Sequence, residues 1–308
     1  DYKVTGVQTC ALPIWSLAAE GVVRELRPTP RMQVVRESES ISLRVVDGIH
    51  VWSMGADNPQ RGASCQGWTG RLITVVGDSV MVVSSWTGDT YGVRMSEVLA
   101  ERLGDGFCVA NLAVAGFYGE QQLAVLKEHL ATARPEVVIW QIWKPNGRFR
   151  RFGDTLVDTE NVDIDEEGFP RVGGLPTWRW LFLRSRAYEF FVLTMASPRR
   201  DVEPEEFSST FEAVARIREA GAVPVVMVAT PLDVPFERSI GLPVFRGVRD
   251  RLRAEGVVVV ELAELLKDQD VEALRVDTCC HFNEAGHHAI ADAMEPLLRP
   301  LLGPGGPT

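Results

Sequence analysis

The tripeptide Gly77-Asp78-Ser79 places a hydroxyl group directly after a short apolar run, Ile73 to Val76. That run is rich in β-branched residues and predicts a buried strand. Gly77 suits the sharp turn that must follow the strand, because it has no Cβ. In open α/β sheets, ligands bind at the carboxyl ends of the strands, so Ser79 is a candidate nucleophile. The same three residue types are also ordinary turn formers, so the tripeptide alone is compatible with a plain turn.

A serine nucleophile needs a base, most often a histidine, and the chain has five histidines. Four of them are predicted inside helices or in a β-rich N-terminal segment: His50, His129, His287 and His288. His281 is predicted in a loop that follows a strand end and precedes a helix capped by Asn283. His281 is therefore the candidate base.

An aspartate stands four residues before this histidine, in the sequence Asp277-Thr-Cys-Cys-His281. A carboxylate beside a histidine can fix the imidazole tautomer and stabilise the imidazolium that forms during catalysis. A loop histidine near an aspartate also fits a surface pair, so both interpretations are open from these residues alone. Cys279 and Cys280 either pack this loop with small side chains or form a vicinal disulfide.

Three segments in this order along the chain resemble blocks I, II and V of the SGNH (GDSL-type) hydrolases. They are Gly77-Asp78-Ser79, Asn111-Leu-Ala-Val-Ala-Gly116, and Asp277 followed by His281-Phe-Asn-Glu-Ala-Gly286-His. The resemblance covers about residues 71–300, and its last segment is the most specific part. It implies a serine hydrolase that needs no metal and no cofactor.

By the pattern of that family, Ser79 would be the nucleophile, His281 the general base and Asp277 the residue that orients His281. The backbone N–H groups of Ser79 and Gly116 would be two donors of the oxyanion hole. A glycine at position 116 also fits a simple turn from strand to helix, and the two interpretations are compatible.

Two departures from the family pattern concern the rest of the site. Block III usually reads Gly-x-Asn-Asp, whereas the predicted strand here continues as Trp140-Gln-Ile-Trp-Lys-Pro-Asn146-Gly147. Asn146 is the candidate third donor of the oxyanion hole, although Pro-Asn-Gly is also a turn signal. The family commonly has two residues between Asp and His, and here there are three, so a backbone carbonyl is an alternative to Asp277 as the orienting group.

The leading functional interpretation is hydrolysis of a carboxylic ester through an acyl-enzyme, with a small-molecule or carbohydrate ester as the substrate. An O-acyltransferase would use the same residues, with a sugar hydroxyl in place of water. A binding module that kept the fold and lost turnover is a third interpretation, which the altered block III leaves open.

Strands alternating with helices predict the fold. Strands are predicted at 71–76, 107–111, 136–143, 223–229 and 257–261, with a helix after each. This pattern indicates a three-layer α/β/α sandwich with a five-stranded parallel sheet. The resemblance to the SGNH hydrolases implies that this sheet is flavodoxin-like. We expect a β-rich N-terminal extension at 15–70 and a hydrolase-like domain at 71–302 with an insertion at about 147–200.

The predicted insertion contains an aromatic, basic stretch from Trp178 to Phe191. Its spacing is most typical of a helix that packs in a core. Two other interpretations are the lining of an acyl pocket and contact with a membrane surface or a partner.

Composition excludes several classes of partner. The 308 residues are 45% hydrophobic and carry a formal net charge of −10, which disfavours nucleic-acid binding through phosphates. No apolar run approaches the ~18 residues of a membrane span. The five cysteines include no CxxC pair and no zinc-site spacing, and Cys108 is predicted to be an inert core residue. The sequence indicates neither an oligomeric state nor a compartment.

The first 14 residues resemble the translation of a sequencing-adapter oligonucleotide. We expect them to be a read artefact on an assembled environmental sequence, so Cys10 is not counted as a native cysteine. On this expectation the native N-terminus, with any signal peptide, is missing from the sequence.

Overall fold

The computed structural model places the greater part of the chain. The described residues are 34–36, 41–47, 49–54, 65, 67–82, 93–142, 149–152, 155–158, 164–166, 169–185, 188, 191–192, 195, 207–229, 242–276 and 281–303.

The described residues form twelve strands, which we number in chain order. They are β1 Val34–Arg36, β2 Ile41–Val46, β3 Ile49–Met54, β4 Arg71–Val76, β5 Phe107–Asn111, β6 Val137–Ile142, β7 Phe149–Phe152, β8 Thr155–Asp158, β9 Arg171–Val172, β10 Leu175–Pro176, β11 Val223–Val228 and β12 Val258–Glu261. The α-helices within the same residues are α1 Met95–Leu103, α2 Gly119–Thr132, α3 Arg179–Arg184, α4 Ser208–Glu219, α5 Leu242–Ala254, α6 Leu262–Leu265 and α7 Glu284–Leu298. Two 3₁₀ turns lie at Ser79–Met81 and Val271–Leu274.

Five strands form one parallel sheet in the order β12-β11-β6-β4-β5. Every neighbouring pair in it is parallel. The first of these strands in the chain, β4, lies between the second and the third, and the sheet then continues outward in chain order. This is the flavodoxin-like arrangement, in which ligands bind where the strand order reverses. The predicted five-stranded parallel fold is confirmed.

Helices cover both faces of this sheet because alternate strand residues point to opposite sides. On one face, strand residues pack with α1 and α7 in a cluster that includes Ile73, Val75, Ile139, Leu99, Ile290 and Met294. On the other face, strand residues pack with α2, α4 and α5 in a cluster that includes Val76, Trp140, Leu126, Ile217 and Leu252. The sheet is therefore the middle layer of three.

The chain divides into two compact units, of which the larger contains this sheet and comprises residues 54–146 and 203–308. The smaller unit comprises residues 1–53 and 147–202. Within it, β1 pairs with β8 in an antiparallel sheet of order β1-β8-β7, and β9 pairs with β10 in a hairpin. Strands from the predicted N-terminal extension and from the predicted insertion thus share one sheet.

The aromatic stretch of the smaller unit is only partly buried. Phe182 is buried and meets Phe169 edge-on, with ring centroids 5.8 Å apart. Trp178 and Trp180 are 73% and 65% exposed. The prediction that this stretch is core is therefore right for Phe182 and wrong for the two tryptophans.

A disulfide joins Cys65, in the segment before β4, to Cys108 in β5, with the Cα atoms 6.0 Å apart. The prediction that Cys108 is an inert core residue is therefore wrong. Cys108 is half-buried near the start of an edge strand, where the segment that leads into the neighbouring strand can reach it. The bond closes a loop with a sequence separation of 43 residues.

We expect a variant with both Cys65→Ser and Cys108→Ser to unfold with a free energy about 2–4 kcal/mol lower, because the cross-link restricts the unfolded chain over a long loop. Urea unfolding with and without a reductant measures this difference. The reductant should lower the midpoint of the parent protein and leave that of the double variant unchanged. Equal midpoints for the oxidised parent and the double variant would contradict the expectation.

Candidate active site

Ser79 begins the short turn that follows β4. The Asp78 side chain caps this turn, since its Oδ1 accepts a hydrogen bond from the Val80 N–H at 2.9 Å. The Asp78 N–H donates to Oε1 of Gln141, on the adjacent strand β6, at 2.8 Å. The turn therefore lies at the carboxyl ends of β4 and β6, where the strand order reverses, and Ser79 is buried there with 6% of its surface exposed.

The space around residue 77 in this turn is too small for a side chain. A Cβ at this position would lie 2.5 Å from Oε1 of Gln141 and 2.9 Å from Cγ of Met81. Both distances are shorter than real Cβ contacts, so any larger residue would displace the side chains beneath the serine. The glycine of the tripeptide thus allows the close approach of β6 to the turn.

His281 faces the serine. Its Nε2 lies 2.9 Å from Oγ of Ser79, and the histidine is 2% exposed. This distance is within the range for proton transfer between a nucleophile and its base. The structure thus brings together the two residues that the sequence analysis selected as nucleophile and base.

The backbone around His281 is held on both sides. The His281 carbonyl accepts a hydrogen bond from the Val276 N–H at 3.1 Å, and the Asn283 N–H donates to the Leu274 carbonyl at 2.9 Å. The Asn283 side chain caps α7 by accepting from the Gly286 N–H at 3.0 Å. The histidine is therefore placed by the start of α7 rather than by a free loop.

The loop after β5 carries the second predicted oxyanion donor, Gly116. This loop is tied to the nucleophile turn, because the Val114 N–H donates to the Gly77 carbonyl at 3.2 Å. Asn111 connects the same two segments: its Nδ2 donates to the Met81 carbonyl at 3.2 Å, and its Oδ1 accepts from the Ala113 N–H at 3.0 Å. Gly116 has a φ of +84°, which favours glycine.

The N–H groups of Ser79 and Gly116 have no hydrogen-bond acceptor among the residues that the structure describes. Both residues are buried. Buried backbone N–H groups are almost always paired, so two unpaired ones in segments joined by a hydrogen bond are available to an external oxygen.

Four residues singled out in the sequence lie outside the described residues. They are Asp277, Asn146, Cys279 and Cys280. The orienting role of Asp277 and the third oxyanion donor, Asn146, stay predictions.

The other histidines of the larger unit have partners away from Ser79. His129 Nε2 lies 2.9 Å from the Thr74 hydroxyl, and burial lowers the pKa of the His129 imidazole. His287 is fully buried, and its Nδ1 accepts from the Met95 N–H at 3.1 Å, at the start of α1. His288 is half-buried on α7. His129 and His287 thus stabilise helix packing.

Gln141 is a residue of the site that was not predicted from the sequence. The sequence does contain a signal for it: Gln141 is the polar residue in the apolar run of β6, and all six residues of that strand are buried. Asn111 was noted only as the start of a motif, and its hydrogen bonds give it a definite place under the turn.

No group of three or more His, Cys, Asp or Glu side chains within the described part of the chain is arranged to hold a metal ion. A search of the same residues for a helix both long enough and apolar enough to cross a membrane finds none.

No family model and no curated protein matches the chain. Among solved structures it is similar to TesA, with 17% identity over 75% of this chain and 99% of that one, at a TM-score of 0.46. It is similar to a lipase/acylhydrolase from Enterococcus faecalis, with 12% identity over 76% and 98% of the two chains and a TM-score of 0.46. A carbohydrate acetylesterase family member from Sinorhizobium meliloti has 14% identity over 76% and 99%, and a TM-score of 0.44. Such distant likenesses assign no role to any residue here.

Proposed function

We propose that the protein is a serine hydrolase of the SGNH type that cleaves carboxylic esters through an acyl-enzyme. The observation that carries this proposal is the hydrogen bond of 2.9 Å between Ser79 Oγ and His281 Nε2 at the carboxyl edge of the sheet. The motif order in the sequence supports it. The unpaired N–H groups of Ser79 and Gly116 also support it, because ester cleavage needs hydrogen-bond donors that stabilise the oxyanion.

Acylation begins when Ser79 Oγ attacks the ester carbonyl carbon and its proton passes to His281 Nε2. The carbonyl π electrons move to oxygen, which becomes an oxyanion. The N–H groups of Ser79 and Gly116 donate to this oxyanion, with the Asn146 side chain as the expected third donor. Fixed donors in a buried site stabilise the developing charge, and losing one such donor costs roughly 10²–10³ in rate.

The tetrahedral intermediate collapses when the bond to the leaving oxygen breaks and the His281 imidazolium returns its proton to that oxygen. An alcohol leaves, and Ser79 holds the acyl group. Water then repeats the attack, with His281 as the general base, and the carboxylic acid is released. Asp277 would orient His281 and stabilise the imidazolium in both halves.

Hydrolysis of p-nitrophenyl acetate and butyrate, together with labelling by a fluorophosphonate probe, tests the proposal. The parent protein should turn over the ester and become labelled. Ser79→Ala should remove the label and lower kcat on the order of 10⁴- to 10⁶-fold, because no other group attacks in its place.

The matched control is Ser208→Ala, which removes the hydroxyl of an exposed serine on α4 and should leave both readouts unchanged. A well-folded parent protein that neither labels nor turns over would overturn the enzymatic proposal. Turnover only when a sugar acceptor is added would replace hydrolysis by acyl transfer.

A further inference from the structure

We propose that Gln141 is a positioning residue for the nucleophile: its side-chain oxygen anchors the Asp78 N–H and so fixes the direction of the Ser79 hydroxyl and N–H. The inference deepens the proposed function and rests on it. It is carried by the 2.8 Å hydrogen bond from the Asp78 N–H to Gln141 Oε1 and by the complete burial of the glutamine.

The register of the sheet explains how a residue of β6 reaches the turn. Val76, the last residue of β4, pairs with Trp140, so Gln141 is the next residue toward the carboxyl edge of the sheet. A Cβ on Gly77 would collide with Oε1 of Gln141 and would lie 3.1 Å from its Cβ. The glutamine thus packs directly against the turn, and the missing side chain of Gly77 gives it room.

Stability alone does not account for a glutamine at this position. Its neighbours in β6 are Trp140 and Ile142. Ile142 buries only apolar surface, and the polar group of the Trp140 side chain, Nε1–H, is satisfied by the Thr210 hydroxyl at 3.3 Å. Gln141 Nε2 is buried and has no hydrogen-bond partner within the part of the chain that the structure describes. An unpaired buried donor is destabilising. The buried, unpaired Nε2 of Gln141 is therefore destabilising. The only compensation visible in the described residues is the hydrogen bond that its Oε1 accepts from the Asp78 N–H of the turn.

The anchored residue is the one that decides the geometry of the serine. Asp78 has its N–H held by Gln141, its Oδ1 held by the Val80 N–H, and its carbonyl held by the Met81 N–H at 3.1 Å. Ser79 lies between these hydrogen-bonded groups, and its own N–H has no acceptor among the described residues. Releasing the Asp78 N–H lets the turn rotate, which moves the attacking oxygen and the oxyanion donor together.

Such a movement should lower kcat more than it raises KM, because both groups act mainly in the transition state. In Gln141→Met, which keeps the length of the side chain and removes the acceptor, we expect kcat for p-nitrophenyl acetate to fall about 100-fold, the usual cost of a displacement near 1 Å. KM should stay within about threefold of the parent value. Gln141→Glu keeps an acceptor oxygen and should retain kcat within about tenfold of the parent value.

The matched control is Thr74→Val. Thr74 is a fully buried polar residue on the adjacent strand β4, and its side chain makes a 2.9 Å hydrogen bond to His129. Its loss should lower the unfolding midpoint and leave kcat unchanged. A merely structural role for Gln141 predicts the same behaviour for Gln141→Met and Thr74→Val.

Amide hydrogen exchange of Asp78, followed by NMR, tests the anchor without any turnover. The Asp78 N–H should be protected in the parent protein and in Gln141→Glu, and it should exchange faster in Gln141→Met.

Unchanged exchange of the Asp78 N–H in Gln141→Met would overturn the inference. If the parent protein is an active esterase, a kcat of Gln141→Met within about twofold of the parent value would also overturn it. An equal loss of kcat in Gln141→Glu and Gln141→Met would also overturn it. If the parent protein hydrolyses no ester, the proposed function is wrong. The exchange rates would still show whether Gln141 Oε1 holds the Asp78 N–H.

Discussion

Replacing His281 with glutamine is expected to lower kcat for ester hydrolysis on the order of 10⁴- to 10⁶-fold. The imidazole Nε2 lies 2.9 Å from Ser79 Oγ, where it can accept the serine proton. A carboxamide has similar size and polarity, but it is not a base near neutral pH, so Ser79 would stay a weakly nucleophilic hydroxyl. Steady-state hydrolysis of p-nitrophenyl acetate measures the loss.

Non-additivity gives this expectation a second test. A nucleophile and its base act as one unit, so the variant with both Ser79→Ala and His281→Gln should be no slower than either single variant. His288→Gln is the matched control, because it makes the same substitution on α7, where the histidine is half-buried. It should keep kcat within about twofold of the parent value. Retention of a tenth or more of the parent kcat by His281→Gln would contradict a base role, since about 10² is the least that general-base catalysis contributes.

Replacing Gly286 with alanine is the second large effect that we expect. A Cβ at this position would overlap the Leu274 carbonyl oxygen and would lie 2.8 Å from Cβ of Phe282. The carbonyl belongs to the backbone, so it cannot move aside as a flexible side chain would. Leu274 also accepts the Asn283 N–H that fixes the start of α7. The added methyl group must therefore separate two segments that hold His281.

We expect Gly286→Ala to lower the free energy of unfolding by about 3 kcal/mol, as overpacking of a tight contact does. The folded fraction should also lose about 100-fold in kcat, because His281 moves relative to Ser79. Urea unfolding and hydrolysis per folded molecule measure the two effects separately.

The matched control is Gly247→Ala in α5, where a Cβ meets nothing within 4 Å. There the substitution should stabilise the protein by up to about 1 kcal/mol, since alanine is the better helix former. Equal effects at the two glycines would contradict the steric explanation.

Most of the fold could be predicted from local pattern. The apolar, β-branched run of β4 ends at the predicted residue, Val76, and α7 begins directly after its predicted cap, Asn283. The pairing of β1 with β8 could not be predicted in this way, because it joins segments more than a hundred residues apart. The exposure of Trp178 and Trp180 was missed for a related reason: periodicity shows which residues share a face, but not whether anything covers that face.

The candidate site could be predicted as far as Ser79 and His281, its proposed nucleophile and base. Ser79 and His281 follow from elimination among residue types and from motif order, and the structure places them in contact. Gln141 could not be selected, since a buried glutamine in a strand has no local signature of its partner. Only the register of β6 against β4 brings its oxygen to the Asp78 N–H. Likewise, the Cys65–Cys108 disulfide depends on the neighbouring positions of β4 and β5.

The separation of the proposed nucleophile and base along the chain has a consequence for biosynthesis. The serine and the histidine are 202 positions apart, and the histidine is held in place by the start of α7. A chain emerging from the ribosome therefore displays its serine long before the segment that carries the base has been synthesised. Nascent chains, and fragments cut anywhere between the two residues, would carry the hydroxyl without the means to activate it. On the proposed function, ester hydrolysis therefore requires synthesis of the chain as far as α7, and any shorter chain carries an inactive serine.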